Sequence, residues 1–297
     1  MNHTTTTISV SSEIQLNTET FGTQTNPAIL LISGAMAPAR FWTDKFCQQL
    51  ADSGYFVIRY DHRDMGLSSA IDFEQHPYSL NDLARDAIAI LDGYKIQKAH
   101  LIGHSMDGSI AQIIALDYPS RVLSITLISS SVLATPTLTP DERDQLAATW
   151  HVFQESKPTK DFAQSIDGFM KSYKFLHGTI EMDKAIATNY IRDMYERTRP
   201  EHLAWFEAFS SDTQPIHNHV RAQQGTVDRT QELGHIKFPV LVIHGQDDCL
   251  QFARVVKDYC IKNIPHATMY EIPKMGHMIL NNELFKKIAD LWKKNIL

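Results

Sequence analysis

Apolar residues along this chain fall into two kinds of run. Short, near-continuous ones recur in the first half: Ala28 to Ser33, Tyr55 to Tyr60, Ala99 to Ile102 and Leu123 to Ser129. Runs of this length bounded by turn residues read as buried strands. Between them, Trp42 to Ser53 and Ser79 to Tyr94 repeat apolar positions at helical spacing, and residues 8–22 alternate well enough to suggest an initial hairpin. Strands alternating with helices predict a mostly parallel central sheet flanked by helices, with right-handed crossovers. After Ser129-Ser130-Ser131 the pattern changes. From about Thr139 to Gln231 no convincing strand occurs, but Phe162 to Phe175, Ala185 to Arg197 and His202 to Phe209 are helical runs rich in Met and aromatics. A near-continuous apolar strand from Phe238 and a last amphipathic helix, Glu283 to Trp292, follow. The expectation is one α/β core built from residues 1–131 and 232–297, with a helical cap inserted over 132–231.

Within this pattern Leu101-Ile102-Gly103-His104-Ser105-Met106-Asp107-Gly108 joins a strand, Lys98 to Ile102, to an apolar-faced helix, Ser109 to Leu116. A tight Gly-flanked turn between strand and helix holds its serine in strained geometry and lifts the hydroxyl above the sheet edge. The next backbone N–H and the helix N-terminus then point toward an incoming oxyanion. A lone G-x-S-x-D-G is weak evidence, because Gly and Ser mark ordinary turns. Two later segments strengthen it. The strand from Phe238 ends in His244-Gly245-Gln246-Asp247-Asp248, and Lys274-Met275-Gly276-His277-Met278 places a histidine in a loop before the last helix. Ser, Asp and His in that order allow His277 to take the Ser105 proton while an Asp orients the imidazolium. In the usual G-x-x-D turn the acid is the third residue after Gly, hence Asp248, with Asp247 as the fallback.

These segments, together with Leu30-Leu31-Ile32-Ser33-Gly34-Ala35-Met36 leading to Phe41-Trp42, and Asp61-His62-Arg63-Asp64-Met65-Gly66-Leu67-Ser68, resemble the α/β-hydrolase superfamily. More closely, the stretch from Tyr60 to Tyr78 resembles the aclacinomycin methylesterase group, which are cofactor-free serine esterases. The resemblance covers residues 8–131 and 232–297 and fades between them. It implies the α/β-hydrolase fold, the triad Ser105, Asp248 and His277, and no cofactor. It also implies an oxyanion hole made of the Ala35 and Met106 backbone N–H groups. Ser33 stands where the family commonly has His, at little cost because the donor is a backbone group. Losing one oxyanion donor costs about 2.7–4 kcal/mol of transition-state stabilisation. Asp61 and Arg63 read as structural turn residues, and His62 as a satisfied loop histidine.

Asp107 departs from the pattern, since a small residue there lets the helix pack closely on the preceding strand. A larger side chain must turn outward or push the helix away. A carboxylate does suit a first helical turn. Buried and facing the oxyanion, it would repel that charge by roughly 3 kcal/mol at 5–6 Å and an effective dielectric near 20, and the enzyme would be slow. Acting on His277 instead, it would shift the pH optimum upward.

Composition narrows the partners. The chain has 297 residues, 43% hydrophobic and 21% charged, with a formal net charge of −6. That is a globular composition, and it argues against nucleic acid, where a basic patch is expected. No apolar stretch is long enough to span a bilayer, and Met1 to Thr7 lacks the features of a secretory signal, so a cytoplasmic monomer or homodimer is expected. Cys47, Cys249 and Cys260 are dispersed, without C-x-x-C pairing, and indicate neither a disulfide framework nor a zinc site. His217-Asn218-His219 lies in a polar stretch and reads as a solvated loop. For the cap's pocket lining the candidates are Phe153, Phe169, Tyr173, Tyr195, Trp205 and Phe209, with Met36 and Met278 from the core. Only a few of these aromatics are expected to touch substrate, the rest packing the cap. The reading is a serine hydrolase cleaving a carboxylic ester, methyl or otherwise, of a small apolar or aromatic substrate. Three alternatives stand beside it: a cofactor-free perhydrolase or haloperoxidase, a C–C hydrolase, and a capped ligand-binding protein impaired by Asp107.

Overall fold

The computed structural model describes residues 3–130, 132–156, 158–203 and 217–296. Eight strands form one sheet in the order β1-β2-β4-β3-β5-β6-β7-β8. They are β1 (Thr4–Ser9), β2 (Gln15–Phe21), β3 (Ala28–Ile32), β4 (Phe56–Tyr60), β5 (Ala99–His104), β6 (Val122–Ile128), β7 (Val240–Gly245) and β8 (Thr268–Ile272). β1 and β2 form an antiparallel hairpin that begins at Thr4, ahead of the expected 8–22, β2 also runs antiparallel to β4, and the remaining pairs are parallel. The continuous apolar runs become the central strands: every residue of β3, β4 and β7 is buried, as expected where helices cover both faces. The threonine-rich β1 is the exposed edge. β8, which the pattern did not predict, is half-buried along most of its length, so it lacks the apolar run that marked the others.

Helices α1 (Asp44–Ala51), α2 (Leu80–Gly93) and α3 (Met106–Asp117) lie between core strands. Their ends follow capping rules: Thr43 accepts the Phe46 N–H at the start of α1, and Asp82 accepts the Ser79 N–H at the start of α2. The segment between β6 and β7 carries α4 (Pro140–Ser156), α5 (Phe162–Leu176), α6 (Lys184–Glu196) and α7 (Asn218–Gln224). Of the predicted His202 to Phe209 helix, only the first residues are described. A helical turn α8 (Ala253–Val256) and the terminal α9 (Asn282–Ile296) complete the chain. One apolar cluster packs α2 and α3 on one sheet face; a second packs α1 and α9 on the other, with Trp292 buried against Tyr55 and His100.

The inserted helices are tied to the core by charge. Arg59 on β4 is fully buried and paired with Glu19 and Asp44, as a buried guanidinium requires. Arg197, at the end of α6, reaches the same Glu19 at 2.6 Å. Burial opposes ionisation of Glu19, but the three surrounding arginines hold its carboxyl below the usual range.

Candidate active site

Strand β5 delivers Ser105 into the first residue before α3, at φ +55° and ψ −126°. A non-glycine residue there stores roughly 1–3 kcal/mol of strain, and the neighbours hold it. Ser105 N–H donates to the Ile128 carbonyl on β6 at 3.0 Å, and Gly108 N–H to the Ser105 carbonyl at 3.0 Å. The half-buried hydroxyl sits 2.9 Å from His277 Nε2. His277 Nδ1 lies 3.0 and 3.1 Å from the two oxygens of Asp248. Three segments widely separated in sequence thus meet in one hydrogen-bonded line.

Of the two carboxylates after β7, Asp248 is the one within hydrogen-bond reach of His277. Its Oδ1 also accepts the Leu250 and Gln251 N–H groups at 2.9 Å each. Burial alone would raise its pKa, but the adjacent His277 charge and these hydrogen bonds hold it down at about 2. Asp247 faces elsewhere, accepting the N–H and hydroxyl of Thr179.

The loop carrying His277 is held from two sides. His104 Nε2–H donates to the His277 carbonyl at 2.9 Å; burial, then the His277 charge, pushes His104 down to about 3 and keeps it neutral. From the inserted segment, Gly276 N–H donates to His177 and Met278 N–H to Leu176. A Cβ on Gly276 would stand 2.2 Å from the Leu176 carbonyl, so only glycine allows this approach. The segment between β6 and β7 therefore holds the loop that carries His277.

Asp107 neither turns outward nor faces the reaction space. It is fully buried, its Oδ2 accepting Gly34 N–H at 2.6 Å and His62 Nε2–H at 2.6 Å. The close approach of α3 to the sheet falls instead to its neighbours. A Cβ on Gly103 would meet the Asp107 carbonyl at 2.4 Å, and one on Gly108 the Ser130 hydroxyl at 1.8 Å. Of the surrounding turn residues, Asp61 accepts from Asn17, Ala39 and Leu67, and Arg63 pairs with Asp86 through two nitrogens. The reading of His217 to His219 as a solvated loop is overturned. His219 is fully buried on α7, accepting Met36 N–H at Nδ1 (3.0 Å) and donating from Nε2 to the Arg63 carbonyl (2.8 Å).

A cavity of about 340 Å³ opens above Ser105 and His277, within the range of small-molecule sites. Ala35 and Met106 lie on its wall, with Met36, Met278, Phe153, Phe169 and Tyr173 among the predicted lining residues. Tyr195 does not reach it; its hydroxyl donates to the Thr159 carbonyl and its ring packs on Phe162 and Phe169. Trp205 and Phe209 lie outside the described residues. The sequence reading missed Phe41, Trp150, Tyr190 and Met194, which also line the cavity. It gave His104 no role either, although its place at the end of β5, next to Ser105, was a usable signal. No described lining residue is Asp, Glu, Lys or Arg.

Comparison with known proteins agrees with this architecture. The family model for the alpha/beta hydrolase fold matches residues 27–283. The chain is 34% identical over 275 residues to rhodomycin D methylesterase DauP of Streptomyces sp. strain C5, covering 90% of each chain. It is 31% identical to rhodomycin D methylesterase DnrP of Streptomyces peucetius, covering 91% of each. Among solved structures, a 2-hydroxy-6-oxo-6-phenylhexa-2,4-dienoate hydrolase from Rhodococcus superposes with a TM-score of 0.74 at 18% identity, covering 98% of both chains. An esterase from Exiguobacterium antarcticum gives 0.73 at 17% identity over 99% of both, a likeness of fold alone. With the model spanning most of the core and a sheet of this order carrying Ser105 at the end of β5, the chain belongs to the α/β hydrolase fold family.

Proposed function

We propose that this chain is a serine hydrolase that cleaves a carboxylic ester through an acyl-enzyme. The observation that carries the reading is the hydrogen-bonded line from Asp248 through His277 to Ser105, ending in a cavity. Ser105 Oγ attacks the ester carbonyl while His277 Nε2 accepts its proton, and Asp248 holds the imidazole by Nδ1 and balances its charge. Ala35 and Met106 N–H groups stabilise the oxyanion. The tetrahedral intermediate collapses as His277 protonates the departing alcohol. Water, deprotonated by His277, then attacks the acyl carbonyl and frees Ser105.

The apolar and aromatic wall, free of fixed charge among its described residues, favours an uncharged aromatic or apolar ester. The relatives named as methylesterases favour a methyl leaving group. An impaired ligand-binding protein is not favoured, because Asp107 is engaged away from the cavity. Steady-state hydrolysis of short-chain nitrophenyl esters and of aromatic methyl esters tests this, alongside labelling by a serine-directed phosphonate. Turnover and one phosphonate per chain, both lost in Ser105→Ala, are expected. A native protein that neither turns over these esters nor labels overturns the reading.

A further inference from the structure

Beneath the site lies a second cluster of titratable side chains: Asp107, His62 and His219. All three are fully buried. They come from the nucleophile helix, the loop after β4 and the inserted helix α7; Asp107 and His219 meet the backbone of Gly34-Ala35-Met36, and His62 stands behind Asp107.

The contacts are specific to alternate amides. Gly34 N–H donates to Asp107 Oδ2 at 2.6 Å, and Met36 N–H donates to His219 Nδ1 at 3.0 Å. The amide between them, Ala35 N–H, donates to no described residue, and Ala35 lies on the cavity wall. The backbone here does not rest in an ordinary conformation. Gly34 has φ +102° and Met36 φ +57°, and the left-handed region costs a residue with a Cβ about 1–2 kcal/mol. Room is equally short, since a Cβ on Gly34 would stand 3.2 Å from His104 Nδ1 and 3.5 Å from Ser105 Cβ. A strained loop this close to the nucleophile keeps its shape only if its flanks are tied.

We infer that Asp107 and His219 are positioning residues that clamp the amides on either side of Ala35, so that the Ala35 N–H alone is presented to the reaction space. The His219 clamp has the protonation it needs. His219 is neutral, because burial and then the neighbouring His62 push it down to about 4. Its Nε2–H is occupied by the Arg63 carbonyl at 2.8 Å, which leaves Nδ1 as the acceptor for Met36. His62 donates to the same Oδ2 of Asp107 that takes Gly34, fixing the carboxylate from behind. The inserted segment thereby reaches the oxyanion loop through one imidazole, and Asp107 becomes a support where a glycine would give none. Only the catalytic part of this inference rests on the ester-hydrolase reading.

Amide hydrogen exchange followed by NMR tests the clamp without any turnover. In the native protein the Gly34 and Met36 amides are expected to be protected and Ala35 to exchange faster than either. Asp107→Gly should release Gly34, and His219→Leu should release Met36. Equal protection of all three amides, or unchanged protection in both variants, overturns the clamp. Kinetics on a nitrophenyl ester test its consequence. Each variant should lose about 10-fold or more in kcat, as for partial loss of an oxyanion donor, with KM within about twofold. His219→Asn, which retains a side-chain acceptor near Nδ1, should recover most of the loss. Exchange released with kcat unchanged overturns the positioning role. A native protein with no ester turnover overturns the function proposed above and the catalytic part of the inference, while exchange still decides the clamp.

Discussion

His104 donates its Nε2–H to the backbone carbonyl of His277, 2.9 Å away, so the residue before Ser105 holds the loop that brings the His277 imidazole to the Ser105 hydroxyl. Burial makes this bond one-sided: His104, pushed down to about 3, stays neutral in the folded protein down to that pH.

A pH dependence of stability follows. His104 at about 3 and His219 at about 4 both lie below the ordinary histidine value near 6.5. Between about pH 6.5 and 4 the unfolded chain takes up protons that the folded chain does not. Stability therefore falls with pH across that window, by up to about 1.4 kcal/mol per pH unit for each residue. The depressed Asp248 adds its own loss only below about pH 4, as pH falls toward its folded value of about 2. Melting temperature measured from pH 7 to 4 should drop steeply, and His104→Gln should flatten the slope. An unchanged slope in the variant would remove His104 from the account.

The two adjacent carboxylates should separate cleanly. Asp248→Asn leaves His277 without its charged partner and is expected to lower kcat by about ten-thousand-fold, the scale seen when a triad acid becomes an amide. Asp247→Asn affects only the Thr179 contact and should leave kcat within about twofold. Rates of the two variants on one ester decide which acid serves.

Gly276→Ala should damage activity and stability together. Its Cβ would stand 2.2 Å from the Leu176 carbonyl and 2.4 Å from the Gly178 nitrogen, both backbone atoms. Overpacking of this kind costs about 1–3 kcal/mol, and relief requires moving the loop that carries His277. A melting temperature lower by several degrees and a large fall in kcat are expected. A variant as stable and active as the parent would show that the contact between α5 and the histidine loop is dispensable.

The wall of the cavity should sort substrates by size. Phe153 and Tyr190 line it, and truncating an aromatic side chain in an apolar pocket is worth about 1–3 kcal/mol of transition-state binding. Phe153→Ala and Tyr190→Ala are each expected to lower kcat/KM for an aromatic methyl ester by about 10- to 100-fold, while nitrophenyl acetate changes little. Equal losses on both esters would mean the side chains support the cap's packing instead of contacting substrate.

What the chain determined locally was the set of elements and the chemistry at their ends. Continuous apolar runs such as Ala28–Ile32 and Val240–Gly245 must be buried on both faces, so β3 and β7 were legible from the local run of residues. Strand ends are where Ser105 and Asp248 fall, so their identity and the 2.9–3.1 Å line they make with His277 could be anticipated from order and spacing. Tertiary structure decided everything that depends on which distant backbone a side chain finds. Local pattern left the direction of Asp107 open, and it is Gly34, 73 positions away, that supplies an N–H to offset its burial. His219 stands in a polar stretch, yet Met36, 183 positions away, needs its imidazole as an acceptor. β8 and Trp150 were invisible for the converse reason, since the half-exposed strand and the exposed cavity-wall aromatic lack a periodic signature. Hydrophobic periodicity records which face of an element is covered; a buried polar group records a partner, and a partner is known only once the chain has folded.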